Sequence, residues 1–334
     1  MRILGIETSC DDTAAAVVED GARVLSAERL SSAALQARFG GVVPEVAARE
    51  HAVAILPAVM AALETAELAP SDLDAVAVTQ GPGLLGALLV GVSFAKALGV
   101  AQNLPVIGVH HLEAHLYANS LVAPIQFPAL ALIVSGGHTT LAYWRGHGDI
   151  QVLGETRDDA AGEALDKGAR LLGLGYPGGP AVEQLAQTVH STPTLRLPVA
   201  RLGRDSLDFS FSGLKTATEE MVRQGTYDPA DIAWALEEAV VIALVETLDR
   251  AWQRYSPPHV YLAGGVSANR RLREAVAAWA GSHEVTVHMP PPHWCTDNGA
   301  MVAAAGYFRY QQGHRMAFDD GPKTPWALQE VSPG

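Results

Sequence analysis

The segment Arg2-Ile3-Leu4-Gly5-Ile6-Glu7-Thr8-Ser9-Cys10-Asp11-Asp12-Thr13-Ala14-Ala15-Ala16-Val17-Val18 decides the architecture. Residues 2–8 alternate as an apolar strand, Ser9 to Asp12 form a polar turn, and residues 13–18 return as a second strand that closes near Asp20-Gly21. The same grammar recurs at residues 129–134, where an apolar strand runs into Ser135-Gly136-Gly137-His138 and returns over 139–144. Gly, Ser and Asp suit such tight turns because they tolerate unusual dihedrals and hydrogen-bond locally.

A second unit also repeats. Residues 73–79 read as a strand, Gln80-Gly81-Pro82-Gly83 as a glycine turn, and 84–98 as a helix of small residues. Later, 259–263 is a strand, Gly264-Gly265 a turn and 269–280 a helix. Two halves that each join a hairpin to a strand-glycine-helix unit predict two similarly folded α/β domains facing one cleft. A chain of 334 residues also exceeds the ~250–300 that a single core organises. The boundary falls near residues 123–127, between Pro124 and Pro128. Domain one spans 1–125 and is completed by a C-terminal helix within 296–334; domain two spans 126–295. Further helices are predicted over 44–63, 83–100, 161–172, 179–188, 213–223, 228–255 and 298–311, the last packing back on domain one. The Pro- and Gly-rich tail after Gly313 reads as loosely held.

Composition narrows the function classes. Hydrophobic residues make up 49% of the chain and charged ones 18%, which excludes an intrinsically disordered protein. Two cysteines, Cys10 and Cys295, exclude a disulfide framework. Glu7 interrupts the N-terminus too early for a signal peptide, and Ser93, Lys96 and three glycines break the apolar stretch 84–101. That stretch is expected as a buried helix, and the protein as cytoplasmic with no membrane partner. The net charge of −13, with four lysines among 23 cations, excludes a general nucleic-acid binder. Contact with nucleic acid would need local patches, such as Arg196, Arg201 and Arg204 or Arg270, Arg271 and Arg273, or a basic partner; a solvated face is the plainer reading.

The sharpest chemical signal is His110-His111-Leu112-Glu113-Ala114-His115. On a helix, His111 and His115 share one face at i and i+4, a spacing that lets two imidazoles hold one metal. A zinc-protease motif would place glutamate directly after the first histidine, whereas Glu113 stands two positions on and points away. A third ligand must come from elsewhere, and Asp297 in Cys295-Thr296-Asp297-Asn298-Gly299 is the best candidate. Two histidines and one carboxylate leave open coordination positions, as a catalytic metal needs. The plainer alternatives are paired surface histidines and Asp297 as a helix N-cap.

Glycine turns at strand ends let backbone N–H groups approach phosphate, and the pairs at Val134–His138 and Ala263–Gly265 point to a nucleotide. Asp158 and Asp159 suit the start of a helix. Asp166, two turns inside, either pairs with Lys167 or Arg170 or meets ribose hydroxyls. Pro177-Gly178-Gly179-Pro180 opens another helix, with Glu183 one turn on. A covalent nucleophile is disfavoured: no neighbouring histidine activates Cys10, and Ser135 lacks a nucleophile elbow.

Eight ordered motifs now converge. They are Gly5–Thr13, Gly40-Gly41-Val42-Val43-Pro44-Glu45, Gln80–Leu84, His110–His115, Ser135–Thr139, Asp158–Lys167, Phe209-Ser210-Phe211-Ser212-Gly213-Leu214-Lys215 and Cys295–Ala300. From residue 1 to about 310 the chain resembles the TsaD family of tRNA threonylcarbamoyladenosine synthases. The resemblance implies an α/β fold of the actin/hexokinase/Hsp70 type, with two ribonuclease-H-like domains around a nucleotide cleft. It implies transfer of threonylcarbamoyl from threonylcarbamoyl-adenylate to N6 of adenosine 37 in tRNAs that read codons beginning with A. One metal ion, iron or zinc, would be held by His111, His115 and Asp297. Val134, Ser135, Gly136, Gly137, Asp166, Gly179, Glu183 and Asn269 would line the adenylate site, with His138 adjoining that loop and Asp11 a candidate proton acceptor. Implied partners are tRNA, the paralogous TsaB, the ATPase TsaE and a TsaC-type enzyme that supplies the adenylate. The helix over 44–63 would serve either core packing or the paralogue interface. Asp12 departs from the Glu of many relatives and Glu183 from the Asp of some, so side-chain reach differs at both points. Competing readings are a metalloprotease, a kinase or ATPase of the same superfamily, and a noncatalytic scaffold.

Overall fold

A computed structural model of the chain describes residues 1–190, 193–203 and 205–331. It divides into two compact units: Met1–Ile125 with Gly146–Ile150 and Thr296–Gly334, and Gln126–Arg145 with Gln151–Cys295. In unit 1, β1 (Arg2–Glu7) pairs antiparallel with β2 (Asp12–Glu19), which pairs with β3 (Arg23–Ser31). On the other side of β1 lie parallel β4 (Ala75–Gly81) and β5 (Val106–His110), giving the order β3-β2-β1-β4-β5. Helices α1 (Pro44–Thr65) and α2 (Leu85–Gln102) follow β3 and β4, and the short α3 (His111–Tyr117) follows β5.

The second sheet repeats this order. β6 (Ala129–Val134) pairs antiparallel with β7 (Thr139–Gly146), next to which lies β8 (Asp149–Glu155). After α4 (Ala161–Leu171), α5 (Gly178–Ala186), α6 (Ser212–Gln224) and α7 (Pro229–Tyr255) comes β9 (His259–Ala263), parallel to β6. Helix α8 (Arg270–Gly281) and β10 (Thr286–His288) complete the set, and α9 (Gly299–Gln311) belongs to unit 1. The repeated hairpin and strand-glycine-helix units of the sequence are thus one sheet topology used twice. Strands β3, β5, β8 and β10 were not legible beforehand: β3 is a largely exposed edge strand, and β10 has three residues.

Strand alternation sorts β1 into two faces. Leu4 and Ile6 join the cluster that holds Ile55 and Val59 of α1 and Val92 and Ala95 of α2. Gly5 points the other way, at α9. A Cβ there would lie 2.1 Å from the Gly299 carbonyl oxygen and 2.4 Å from the Ala303 nitrogen. At Gly306, one turn past Ala303, a Cβ would meet that of Ala77 on β4 at 2.4 Å. Helix α9 therefore lies against the strands almost without side chains between, and Gly299 through Gly306 are all buried.

Two features differ from expectation. The tail after Gly313 is tied down: Met316 N–H donates to the Val106 carbonyl (2.8 Å), Lys323 N–H to the Gln80 carbonyl (2.8 Å), and Trp326, Leu328 and Val331 are buried. Here tertiary hydrogen bonds outweigh Pro- and Gly-rich composition. Helix α2 is only half-buried. By length and composition α1 and α2 would suffice to cross a membrane, yet each packs one face on the sheet. Val53, Leu56 and Met60 on α1, and Leu85 and Leu89 on α2, stay exposed.

Gly5→Ala should destabilise the chain by about 2–3 kcal/mol or more, because a backbone and not a flexible side chain must yield. Gly213→Ala, where nothing lies within 4 Å of a Cβ, should change stability far less. Denaturant unfolding of both variants checks this.

Candidate functional site

Strand β5 delivers His110, whose Nδ1 accepts the Leu112 N–H (3.2 Å) and so caps α3. One helical turn then carries His111 and His115 on a common face, their ring centroids 4.7 Å apart. Both are buried, which removes the surface-pair reading. Glu113 points away, as its spacing predicts, and its buried carboxylate accepts from Arg309 at 3.0 Å. It is not available as a protease base.

Asp297 completes the cluster from the loop before α9. It is not the N-cap, because Asn298 fills that role by accepting the Met301 N–H at 2.8 Å. Asp297 Oδ1 lies 3.2 Å from His115 Nε2 and 3.7 Å from His111 Nε2. One ligand atom from each of the three lies within 4.8 Å of the others, so the group can hold a metal ion. Among the described residues neither ring nitrogen of buried His115 makes a well-formed hydrogen bond. An imidazole whose Nε2 meets only a carboxylate and whose Nδ1 has no partner is costly for a structural core and natural for a ligand.

The local field favours a cation. Burial alone would lower the His111 pKa, but the carboxylates of Asp297 and Glu7 raise it to about 9. Burial likewise works to raise Asp297, yet His111 and His115 hold its carboxyl well below the usual range. A metal entering through His111 Nε2 would replace a proton. In the neighbouring turn burial raises Asp11, despite a hydrogen bond from Cys10. Burial and the Asp11 carboxylate push the Cys10 thiol far up, so it carries no thiolate.

In unit 2 the glycine turns form as expected. The His138 N–H donates to Ser135 Oγ (3.1 Å) and the Ser135 N–H to the His138 carbonyl (2.8 Å), leaving Gly136 and Gly137 exposed at the tip. Gly264 has φ +86°, and a Cβ there would lie 2.5 Å from the Val134 carbonyl oxygen, so the two turns of β6 and β9 meet. Asp166 Oδ1 accepts from Gly178 N–H (2.7 Å) and Gly179 N–H (3.2 Å). It does not pair with Lys167, which bonds Asp159 (2.6 Å) and Glu163 (3.0 Å) instead. Glu183 accepts the Arg270 N–H at 3.0 Å, and Asn269, the N-cap of α8, donates to Glu237 at 2.7 Å. The structure thus joins Glu183 to the start of α8 and Asp166 to the start of α5.

Sequence reading missed two roles. Asp158 caps α6 and not its own helix, accepting from Phe211 N–H, Ser212 N–H and the hydroxyls of Ser210 and Ser212. The serines of Phe209–Gly213 were the available signal. The arginine patches are largely spoken for, with Arg201 on Glu246, Arg270 on Glu274 and Arg271 on Glu238. Arg196 stacks over Trp234, and Arg273 donates to the Ser267 and Pro290 carbonyls. Arg204 lies outside the described residues.

Comparison with known proteins follows the same line. Residues 23–304 match the profile of "TsaD: tRNA N6-adenosine threonylcarbamoyltransferase". A protein of that name from Bacillus subtilis (strain 168) is 49% identical over 325 residues, covering 96% of this chain and 93% of its own length. The chain belongs to the TsaD family. A Shouchella clausii (strain KSM-K16) relative of the same name is 50% identical over 330 residues, 97% of this chain and 98% of its own. Among solved structures, HypF of T. kodakarensis matches with a TM-score of 0.62 at 16% identity, over 93% of this chain and 48% of its own. The (R)-2-hydroxyglutaryl-CoA dehydratase component A of Acidaminococcus fermentans matches with 0.57 at 15%, over 93% and 99%. These likenesses bear out the α/β fold of the actin/hexokinase/Hsp70 type for this TsaD family member.

Asp12 provides a pH test of the local field. One buried oxygen, Oδ1, has no hydrogen-bond partner among the described residues, and Arg29 stands 3.6 Å from the other. Burial raises its pKa from 3.8 to about 6. A carboxyl raised on folding opposes folding fully above its folded pKa and not at all below its unfolded one. Asp12→Asn should therefore stabilise the chain by roughly 2–3 kcal/mol at pH 7.5, the gain shrinking as pH falls from 6 toward 4. Urea unfolding across that range measures it.

Proposed function

We propose that the chain transfers a threonylcarbamoyl group from threonylcarbamoyl-adenylate to N6 of adenosine 37 in tRNA, releasing AMP. The observation that carries this is the cluster of buried His111 and His115 with half-buried Asp297 within a chain of the TsaD family. A divalent ion held there, iron or zinc by the imidazole and carboxylate donors, would supply Lewis-acid charge for the threonylcarbamoyl carbonyl or carboxylate.

The remaining work falls to the chain's own groups. Gly136 and Gly137 would hold the adenylate phosphate by N–H groups at the exposed tip of the turn that Val134, Ser135 and His138 frame, while Asp166, Gly179, Glu183 and Asn269 would fix its nucleoside end. The N6 amine is a poor nucleophile, since its lone pair is delocalised into the purine, so positioning carries much of the acceleration. A bond forms from N6 to the carbamoyl carbon, the bond from that carbon to the phosphate oxygen breaks, and AMP leaves. The N6 proton passes to a carboxylate, and Asp11, raised by burial, suits that role.

The net charge of −13 and the pairing of Arg201, Arg270 and Arg271 with carboxylates disfavour tRNA binding by those patches alone. This supports partners: the paralogous TsaB on the exposed apolar stripes of α1 and α2, the ATPase TsaE, and a TsaC-type enzyme making the adenylate. A cytoplasmic location fits that company. A kinase or ATPase reading would leave His111 and His115 without a role.

Nucleoside mass spectrometry on unmodified tRNA, incubated with the adenylate and partners, tests the proposal. Modified adenosine should form only with the chain present, and a folded His111→Ala variant should lose roughly 10³-fold in rate, as several kcal/mol of lost charge stabilisation demands. Normal transfer by that variant would disprove the metal role.

A further inference from the structure

Glu7 takes no part in the steps above, yet it is a fully buried charge in contact with His111. Alternation along β1 puts it on the face of Gly5, toward α9, and it is fully buried. Its Oε1 accepts the Ser9 N–H at 2.6 Å, and its Oε2 accepts the Thr79 hydroxyl at 2.6 Å. The same Oε2 lies 3.1 Å from His111 Nδ1, with Ser9 Oγ 3.2 Å from that nitrogen.

An ionised carboxylate only accepts hydrogen bonds, so His111 must carry hydrogen on Nδ1 to satisfy it. In the neutral ring this leaves the lone pair on Nε2, the atom that faces Asp297. Ring orientation is fixed by the same contact, because Glu7 is itself held by two further donors. His115 has no such anchor: its Nδ1 is buried without a partner among the described residues. The two histidines are therefore unequal, one preset and one free to adjust.

We propose that Glu7 is a positioning residue, whose buried carboxylate fixes the tautomer and orientation of His111 and thereby sets the metal affinity of the centre. This rests on the metal reading of His111, His115 and Asp297. Partners of this kind commonly change metal affinity by roughly 10–100-fold when removed.

The test uses the full chain, stripped of metal and titrated with Zn²⁺ against a chromophoric chelator. Wild type should bind one Zn²⁺ and His115→Ala should lose it; a wild type that binds none overturns the metal reading and the inference with it. Given that binding, Glu7→Gln should bind roughly 10–100-fold more weakly while circular dichroism shows the metal-free variant still folded. Thr79→Val keeps the charge but loosens the carboxylate, and should weaken binding by about 3–10-fold; it also decides the matter if Glu7→Gln does not fold. Unchanged Zn²⁺ affinity in either folded variant, with wild type and His115→Ala behaving as stated, overturns the role of Glu7 alone.

Discussion

Helix α9 lies against β1 at a distance that only glycine permits, and the proposed metal cluster hangs on that contact. Gly5 and Gly299 meet backbone to backbone, so the helix start is pinned over the strand that also carries Glu7. Asp297, two residues before Gly299, is delivered to the histidines at the end of β5 although 182 positions separate it from His115. A side chain at either glycine would lift the helix and with it the third ligand. The small-residue composition of α9, from Gly299 to Gly306, is thus a condition of the site and not merely of packing.

Charge is the second constraint. Buried Glu7 and half-buried Asp297 flank His111, with Asp11 and Asp12 in the adjoining turn. Among the described residues, Arg29, 3.6 Å from Asp12, and the imidazoles are the cations set against them. Buried carboxylates persist where a cation or a dense hydrogen-bond network compensates them. Glu113 shows the contrasting solution on the far side of α3, where Arg309 neutralises it.

Much of this was legible in the sequence for definite physical reasons. The hairpins and glycine turns declared themselves because both copies obey one topology, and the grouping of His111, His115 and Asp297 was foreseeable because the i, i+4 spacing puts both imidazoles on one helix face. Asp158 was misplaced because a side chain's partner can be far along the chain: it caps a helix starting 54 residues later. The tail misled because it is held largely through carbonyls, which composition does not reveal: those of Gln80 and Val106 accept from it, and its own Gly321 carbonyl accepts from the Gln80 side chain. Glu7 went unassigned since strand alternation marks it as buried without saying what it meets.

The account stands or falls on the three ligands. X-ray absorption spectroscopy of the iron- or zinc-loaded chain would read them directly. One ion per chain, with scattering from two imidazoles and a carboxylate oxygen, and loss of that ion in Asp297→Ala, is the predicted result. A bound ion without imidazole scattering, or one retained unchanged in Asp297→Ala, would contradict it.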